Sequence, residues 1–251
     1  MHRKYWNRVG RTYDDEIFDV RANDRARIVE ARIKANTHIG AVAHDFGCGT
    51  GKFTPFVAKR VGRALGLDIS KSCLRKAKAA CRSLNNAEFR RVDLSGPERL
   101  GEKADFGLCV NVLLSKSHRR RCGILRFIKR HVRRGGRLVL VAPALESALL
   151  ASHRRIQWNL KDGVRYRKAS ADDPNFRLSD GASIERGLAT IEGVPTKHYL
   201  REELEMTLCE HSFQTLEIAK VEYDWSTEFQ DPPKWMRKPW PWDWLAVAER
   251  K

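Results

Sequence analysis

From about residue 20 to residue 142, short apolar runs alternate with longer stretches whose apolar residues recur at helical spacing. Alternating strand and helix periods describe βαβ units wound around a parallel sheet. The expected strands are residues 40–45, 64–68, 88–92, 104–112 and 136–142, each closed by a turn signal such as Gly47, Asp93-Leu94-Ser95-Gly96-Pro97 or Pro143. Between them, Ser70 is placed to cap a helix carrying Leu74, Ala77, Cys81 and Leu84, and Ile124, Leu125, Ile128 and Val132 form the apolar stripe of another.

After residue 143 the rhythm changes. Residues 144–158 read as a helix, and a Gly/Asp/Ser-rich segment with little periodicity runs on to residue 198. So long a stretch without periodicity, inside a compact domain, is usually a lid or a binding insertion. Residues 200–211 then read as a helix, 213–223 as a strand and 244–248 as a closing strand. The connection at 225–243 is rich in Trp and Pro. The 251 residues are therefore expected to form one elaborated domain rather than two. Its expected parts are a helical cap at 1–39, a core at 40–143, an insertion at 144–198 and closing elements at 199–251.

Composition removes several classes. No apolar stretch approaches the roughly 20 residues that span a bilayer, and the basic start, Met1 to Arg8, has no hydrophobic run behind it to make a secretory signal. The six cysteines show neither CxxC nor CxxH spacing, so no metal site or disulfide framework is expected, and the chain reads as cytoplasmic. The formal charge of +17 is the anomaly, and it raises nucleic acid as a partner.

The first expected strand runs into Gly47-Cys48-Gly49-Thr50-Gly51. Glycines between a strand and a helix let a backbone approach a ligand closely and aim free N–H groups at an anion. The P-loop spacing is not met, because Phe53 stands where Ser or Thr is needed, and the third glycine comes one residue too early for a dinucleotide fingerprint. Acids surround the turn: Asp45 precedes it, Asp68 ends the second strand and Asp93 the third. In a parallel α/β sheet the strands' carboxyl ends share one crevice. There Asp68 suits two ribose hydroxyls, while Asp93, with the Leu94 backbone, suits an adenine. Taken singly, each Asp is also a common turn or cap residue. Cys48 reads as a small residue tolerated in the turn rather than a nucleophile.

With these residues in order, the sequence resembles the class I S-adenosylmethionine-dependent methyltransferases. The resemblance rests on Asp45-Phe46-Gly47-Cys48-Gly49-Thr50-Gly51, Leu67-Asp68-Ile69-Ser70, Val92-Asp93-Leu94, residues 105–111 and residues 135–140. It extends loosely to Tyr5-Trp6-Asn7-Arg8 and Tyr13-Asp14, which are similar to the N-terminal helix that closes over the cofactor. It implies a Rossmann-like, doubly wound, mostly parallel seven-stranded sheet with an antiparallel last strand and a lid insertion after strand 5. It also implies S-adenosyl-L-methionine as cofactor. Its site would comprise Tyr13, Asp45, Gly47, Gly49, Gly51, Asp68, Ile69, Asp93, Leu94 and Asn111, with Asn111 at the mouth of the methyl-transfer site.

The sulfonium of such a cofactor already makes its methyl electrophilic, so alignment and water exclusion are the main demands on the protein. A general base is optional. Among the histidines, His198 is the candidate, because it follows the insertion and adjoins Tyr199; a hydrogen-bonded loop histidine is the competing account. Glu146, Trp158, His198 and Tyr199 are candidate acceptor contacts. The Asn/Asp-Pro-Pro-aromatic pattern of enzymes acting on base amines is absent after Asn111, and so is the Cys arrangement of cytosine-C5 enzymes. Residues 116–137 hold ten Lys/Arg and no acid. In the doubly wound fold that helix is expected to cover a sheet face away from the crevice, leaving its charge as a solvated surface. A small-molecule acceptor is therefore preferred. An RNA methyltransferase using the basic face and a non-catalytic cofactor-binding regulator are the alternatives.

Overall fold

The computed structural model describes residues 18–171, 176–177, 184–191 and 193–251. Two short helices, α1 (Val20–Asn23) and α2 (Ile28–Ala35), lead into β1 (Val42–Phe46), α3 (Thr54–Ala58), β2 (Arg63–Asp68), α4 (Lys71–Ala80) and β3 (Ala87–Arg91). Then come β4 (Ala104–Val110), α5 (His118–His131), β5 (Val132–Pro143), α6 (Leu145–Lys161) and α7 (Tyr166–Ala169). The chain closes with β6 (Phe176–Arg177), β7 (Leu188–Ile191), β8 (Val194–Lys197), α8 (Arg201–Glu210), β9 (Phe213–Glu222) and β10 (Trp242–Arg250).

The main sheet has seven strands in the order β3-β2-β1-β4-β5-β10-β9, and β10 runs antiparallel to both β5 and β9. This is the expected α/β class: a mostly parallel, doubly wound sheet with an antiparallel last strand. Side chains alternate across each strand, so the sheet divides the apolar interior into two layers. Phe46, Leu138 and Leu140 face α5 and α8, packing with Ile124, Leu125, Phe127, Leu204 and Leu208. Ala43, Val139, Val141 and Leu245 face the other way, against Val29 and Ile33 of α2 and Val57 of α3.

Local chemistry sets the helix starts. The Ser70 hydroxyl accepts from the Cys73 N–H at the head of α4, and Ser117 accepts from the Arg120 N–H at the head of α5. Lys129, Arg130 and His131 fall in the last turn of α5, where cations suit the helix dipole.

Two expectations change here. The segment after residue 161 has regular structure, a short helix and a three-stranded antiparallel sheet β6-β7-β8; strands this short carry too few residues to show a period. The closing strand also begins at Trp242, not Trp244, so Trp242 and Asp243 belong to the sheet rather than to the connection. The return of the small sheet is stitched to the core: the Lys197 N–H donates to Leu114 O at 2.9 Å, and the Tyr199 N–H to Pro143 O at 2.8 Å. Among the described residues no helix is long and apolar enough to cross a membrane, and no group of His, Cys, Asp and Glu is placed to hold a metal.

Candidate active site

The carboxyl ends of β1, β2, β4 and β5 open into a cavity of about 630 Å³, within the range of roughly 300–1,000 Å³ usual for small-molecule sites. Its floor includes Asp45, Gly47, Asp68, Ile69, Asp93, Leu94 and Asn111, and the inner face of the insertion adds Ile191, Val194, Thr196 and His198. Seven of the ten cofactor residues expected from the sequence therefore share one wall. Tyr13 lies outside the described residues.

The glycine turn works differently from the expectation of free N–H groups. Gly47 and Cys48 donate to Leu67 O at 2.7 and 2.9 Å, Gly51 donates to Cys48 O at 2.9 Å, and Gly49 donates to Asp68 Oδ2 at 3.0 Å. The turn is thus locked onto the end of β2, and neither Gly49 nor Gly51 lines the cavity. Gly51 holds a left-handed φ of +82°, and a Cβ there would stand 3.0 Å from Ala77 Cα, so this glycine lets α4 close on the turn. Gly47, at φ +78°, lies against the Val112 side chain and does face the cavity.

The three acids have distinct settings. Asp45 is buried and accepts from Thr54 Oγ1 at 2.6 Å, tying β1 to the start of α3. Burial pushes its carboxyl up to about 7; the Thr54 bond opposes this and the nearby Asp68 charge adds to it. Asp68 accepts backbone bonds on both oxygens, from Gly49 and from Ser70 at 2.7 Å, with the Ile69 N–H adding to them, and still lines the cavity. Its carboxyl is also raised by burial, against the pull of those bonds. Asp93 gathers the Ser95 N–H, the Ser95 hydroxyl and Arg120 Nη2 on Oδ1, while Oδ2 takes no hydrogen bond from the described residues. Burial alone would raise Asp93, but the Ser95 bonds and the Arg120 guanidinium outweigh it and hold the carboxyl below its ordinary value.

Arg120 corrects the expectation for the basic helix. The first turn of α5 reaches the crevice, Arg120 pairs with Asp93 at 3.0 Å, and Ile124 also lines the cavity. The rest of the basic run does not line it. A helix that packs on a sheet face still begins at the strands' carboxyl edge, so its first turn borders the crevice even when its body does not.

Of the four acceptor candidates, the structure brings only His198 to the cavity. His198 is 5% exposed, and its Nδ1 sits 3.1 Å from Thr196 O. A carbonyl can only accept, so Nδ1 carries the proton and Nε2 keeps its lone pair. Burial lowers the ring to about 4, with Lys197 adding to that. Tyr199 is instead a core residue, 1% exposed, donating from its hydroxyl to Leu113 O at 3.0 Å. Glu146 accepts from Trp244 Nε1 and from the Arg201 N–H, both at 3.1 Å, and so fastens α6 to β10 and to the start of α8. Trp158 packs beside Phe229 in a separate apolar cluster with Ala151, Trp225 and Met236. Most of the Trp-rich connection joins this cluster or the surface, and Trp242 alone of its tryptophans lines the cavity.

The structure also adds residues that sequence reasoning passed over. Asp243 lines the cavity from β10, accepting from Tyr223 Oη at 2.8 Å and from Asn111 Nδ2 at 3.5 Å. Burial raises its carboxyl to about 6, against the Tyr223 and Asn111 bonds. Glu228, exposed at the neighbouring loop, also lines the cavity, and desolvation of its carboxyl, followed by the Asp243 charge, raises it to about 7. Asn111 adopts a left-handed φ of +51°, unusual for a residue with a side chain, and its buried Oδ1 has no partner among the described residues. Ser147 lines the cavity from α6 and accepts from the Trp242 N–H at 2.8 Å.

Residues 43–136 match a family model described as a methyltransferase domain. No curated protein matches the chain. Among solved structures, the chain is similar to an S-adenosylmethionine-dependent methyltransferase from Methanosarcina mazei, with 20% identity, a TM-score of 0.60 and coverage of 87% of this chain and 96% of that one. It is also similar to the 1,6-didemethyltoxoflavin N1-methyltransferase of Burkholderia thailandensis (16% identity, TM-score 0.64, 99% and 87% covered). A third is the magnesium protoporphyrin IX methyltransferase of Synechocystis (16% identity, TM-score 0.60, 99% and 95% covered). At such identities the structures speak for the fold, while the family model falls on the stretch that holds the glycine turn and the three strand-end acids. Residues 43–136 thus match a methyltransferase domain, and the chain has the fold of S-adenosylmethionine-dependent methyltransferases.

Proposed function

We propose that the protein transfers a methyl group from S-adenosylmethionine to a small molecule held in the same cavity. The observation that carries this reading is the continuity of the cavity, which runs from the strand-end acids to the inner face of the insertion. The residues present fit the cofactor. The Asp68 carboxylate lines the cavity and suits a diol, Asp93 lines it with no hydrogen bond on Oδ2 from the described residues, and the raised carboxyls of Asp45 and Asp68 would be relieved by a ligand carrying positive charge. Gly47, Ile69, Leu94 and Asn111 complete the expected lining, whereas Gly49 and Gly51 shape the turn from behind. When bound, the cofactor supplies a methyl group on a positively charged sulfur.

The chain's own part is to orient and to exclude water. Asn111 lines the cavity and donates to Asp243, and His198, uncharged at neutral pH, offers Nε2 as a hydrogen-bond acceptor to a substrate group. Small acceptors are named for two of the structural neighbours, the toxoflavin precursor and the porphyrin. The basic surface of α5 beyond Arg120 stays outside the cavity, which favours a small acceptor over RNA.

Calorimetry tests the cofactor half: S-adenosylhomocysteine should bind the wild-type protein and lose at least tenfold in affinity in the Asp68→Ala, Asp93→Ala double variant. The acceptor half is tested by incubating the protein with cell extract and methyl-labelled cofactor, then separating acid-soluble from acid-precipitated label. Label confined to precipitated RNA would overturn the small-acceptor reading.

A further inference from the structure

We infer that the acceptor is an amine or other N–H compound, and that Asp243 is the residue that meets its nitrogen and takes its proton. This rests on the methyltransferase reading above and goes beyond it by naming the reacting atom.

Asp243 is 9% exposed and stands between Trp242 and Trp244, in a stretch of strand whose other residues are apolar as far as Ala248. Alternation along β10 sends the two tryptophans to one face of the sheet and Asp243 to the other, where the Tyr223 hydroxyl and Asn111 Nδ2 both reach Oδ2. No hydrogen bond from the described residues reaches Oδ1, and the residue lines the cavity. Glu228 lines the same cavity, near enough for the Asp243 charge to act on it, so two acids share this site. In the same cavity, His198 is likewise more than nine-tenths buried, and its Nε2 finds no partner among the described residues. A pair of acids and a neutral ring nitrogen present acceptors, so the complementary ligand brings donors.

Charge decides among the possible nucleophiles. An oxygen acceptor must become anionic, or nearly so, to attack, and next to two carboxylates that state is disfavoured. A neutral amine attacks through its lone pair and becomes a cation as the new bond forms, which a nearby carboxylate stabilises. The nitrogen forms its bond to the methyl carbon while the carbon–sulfur bond breaks and its electron pair stays on sulfur. An alkylamine arrives as its ammonium, so one proton passes to Asp243 Oδ1 before the attack, and the products are a methylammonium ion, a protonated carboxyl and the neutral thioether. The raised carboxyls of Asp243 and Glu228 agree with this, since each lacks a cation in the free protein.

The test uses the whole protein saturated with S-adenosylhomocysteine, whose binding is measured first. Benzyl, phenethyl, indolylethyl and cyclohexylmethyl skeletons, each as amine, alcohol and carboxylate, are then titrated by calorimetry. At least one amine should bind tenfold or more tightly than its alcohol and carboxylate counterparts. Asp243→Asn should remove at least tenfold of that preference with S-adenosylhomocysteine affinity and circular dichroism unchanged. Glu228→Gln, which leaves Asp243 in place, should weaken the amine by a smaller factor. Absence of any amine preference overturns the inference, and so does a preference that survives both substitutions. Failure of S-adenosylhomocysteine to bind overturns the cofactor reading itself and is seen before any amine is added.

Discussion

Thr54→Val replaces a hydroxyl with a methyl of nearly the same shape at the point where β1 is tied to α3. Thr54 is fully buried and donates to Asp45 Oδ2 at 2.6 Å. Hydrogen bonds to charged groups contribute about 1.5–3 kcal/mol, and neutral ones about 0.5–1.5 kcal/mol. Asp45 titrates at about 7 in the folded chain against an ordinary value of 3.8. A carboxyl raised by folding contributes stability that is fully present below its unfolded value and lost as pH rises through its folded value. The Thr54 bond opposes that rise, so valine moves the folded value further upward and the extra cost appears once Asp45 is ionised. The variant should therefore lose about 2–3 kcal/mol at pH 8.5 but only about 0.5–1.5 kcal/mol at pH 5. Urea unfolding of the ligand-free protein measures both, with an unchanged slope showing that the folded and unfolded states keep their compactness. In the Asp45→Asn background the pH-dependent part of the loss should vanish. An equal loss at both pH values would refute the placement of the charge.

Three further outcomes follow from the described contacts. Lys197 is 1% exposed and its Nζ lies 2.7 Å from Glu203 Oε2, so Glu203→Gln leaves a buried ammonium with only the Arg186 carbonyl; because Glu203 itself is partly solvated, the loss on urea unfolding should fall just below the buried-pair range of about 3–5 kcal/mol, at about 2–3 kcal/mol. Lys197→Met removes the charge as well and should cost less. Arg120→Gln takes away a cation that helps to hold Asp93 below its ordinary value, so the acid midpoint for S-adenosylhomocysteine binding should move up in a calorimetric pH series. Trp158→Phe should lower the unfolding midpoint through the Trp225 and Met236 cluster while leaving S-adenosylhomocysteine affinity unchanged.

The periodic part of the chain was the legible part. The core strands and the α4 and α5 helices are alternation and amphipathic spacing made visible, and Ser70 caps α4 as its position suggests. Asp45, Asp68 and Asp93 were found because a parallel sheet brings strand ends together whatever the distance in sequence. Tertiary packing carried the information that was missed. Glu146, Trp158 and Tyr199 sit near the insertion in sequence, yet a helix start, an apolar cluster and a loop carbonyl engage them. Asp243 did leave a signal, a charge between two tryptophans beside an apolar run, but with the strand start set two residues late it appeared as part of a loop.

The +17 of the whole chain and the chemistry of the crevice point in opposite directions. Six acids line the cavity, Asp19, Asp45, Asp68, Asp93, Glu228 and Asp243, against three cations, Lys52, Arg120 and Arg155. All three cations are engaged, Lys52 with Asp19 at 3.1 Å, Arg120 with Asp93 at 3.0 Å and Arg155 with Ala171 O at 2.9 Å. A ligand entering this site therefore meets an acidic interior inside a basic protein. At about 0.15 M salt the field of exposed charges fades within roughly 8 Å, whereas charges in a partly enclosed cavity are screened far less. The local acids, not the net charge, then set what binds, and a cationic cofactor beside an amine acceptor suits such an interior better than a polyanion does. The basic surface becomes a matter of solubility and of encounter with the outside, and it carries little information about the acceptor.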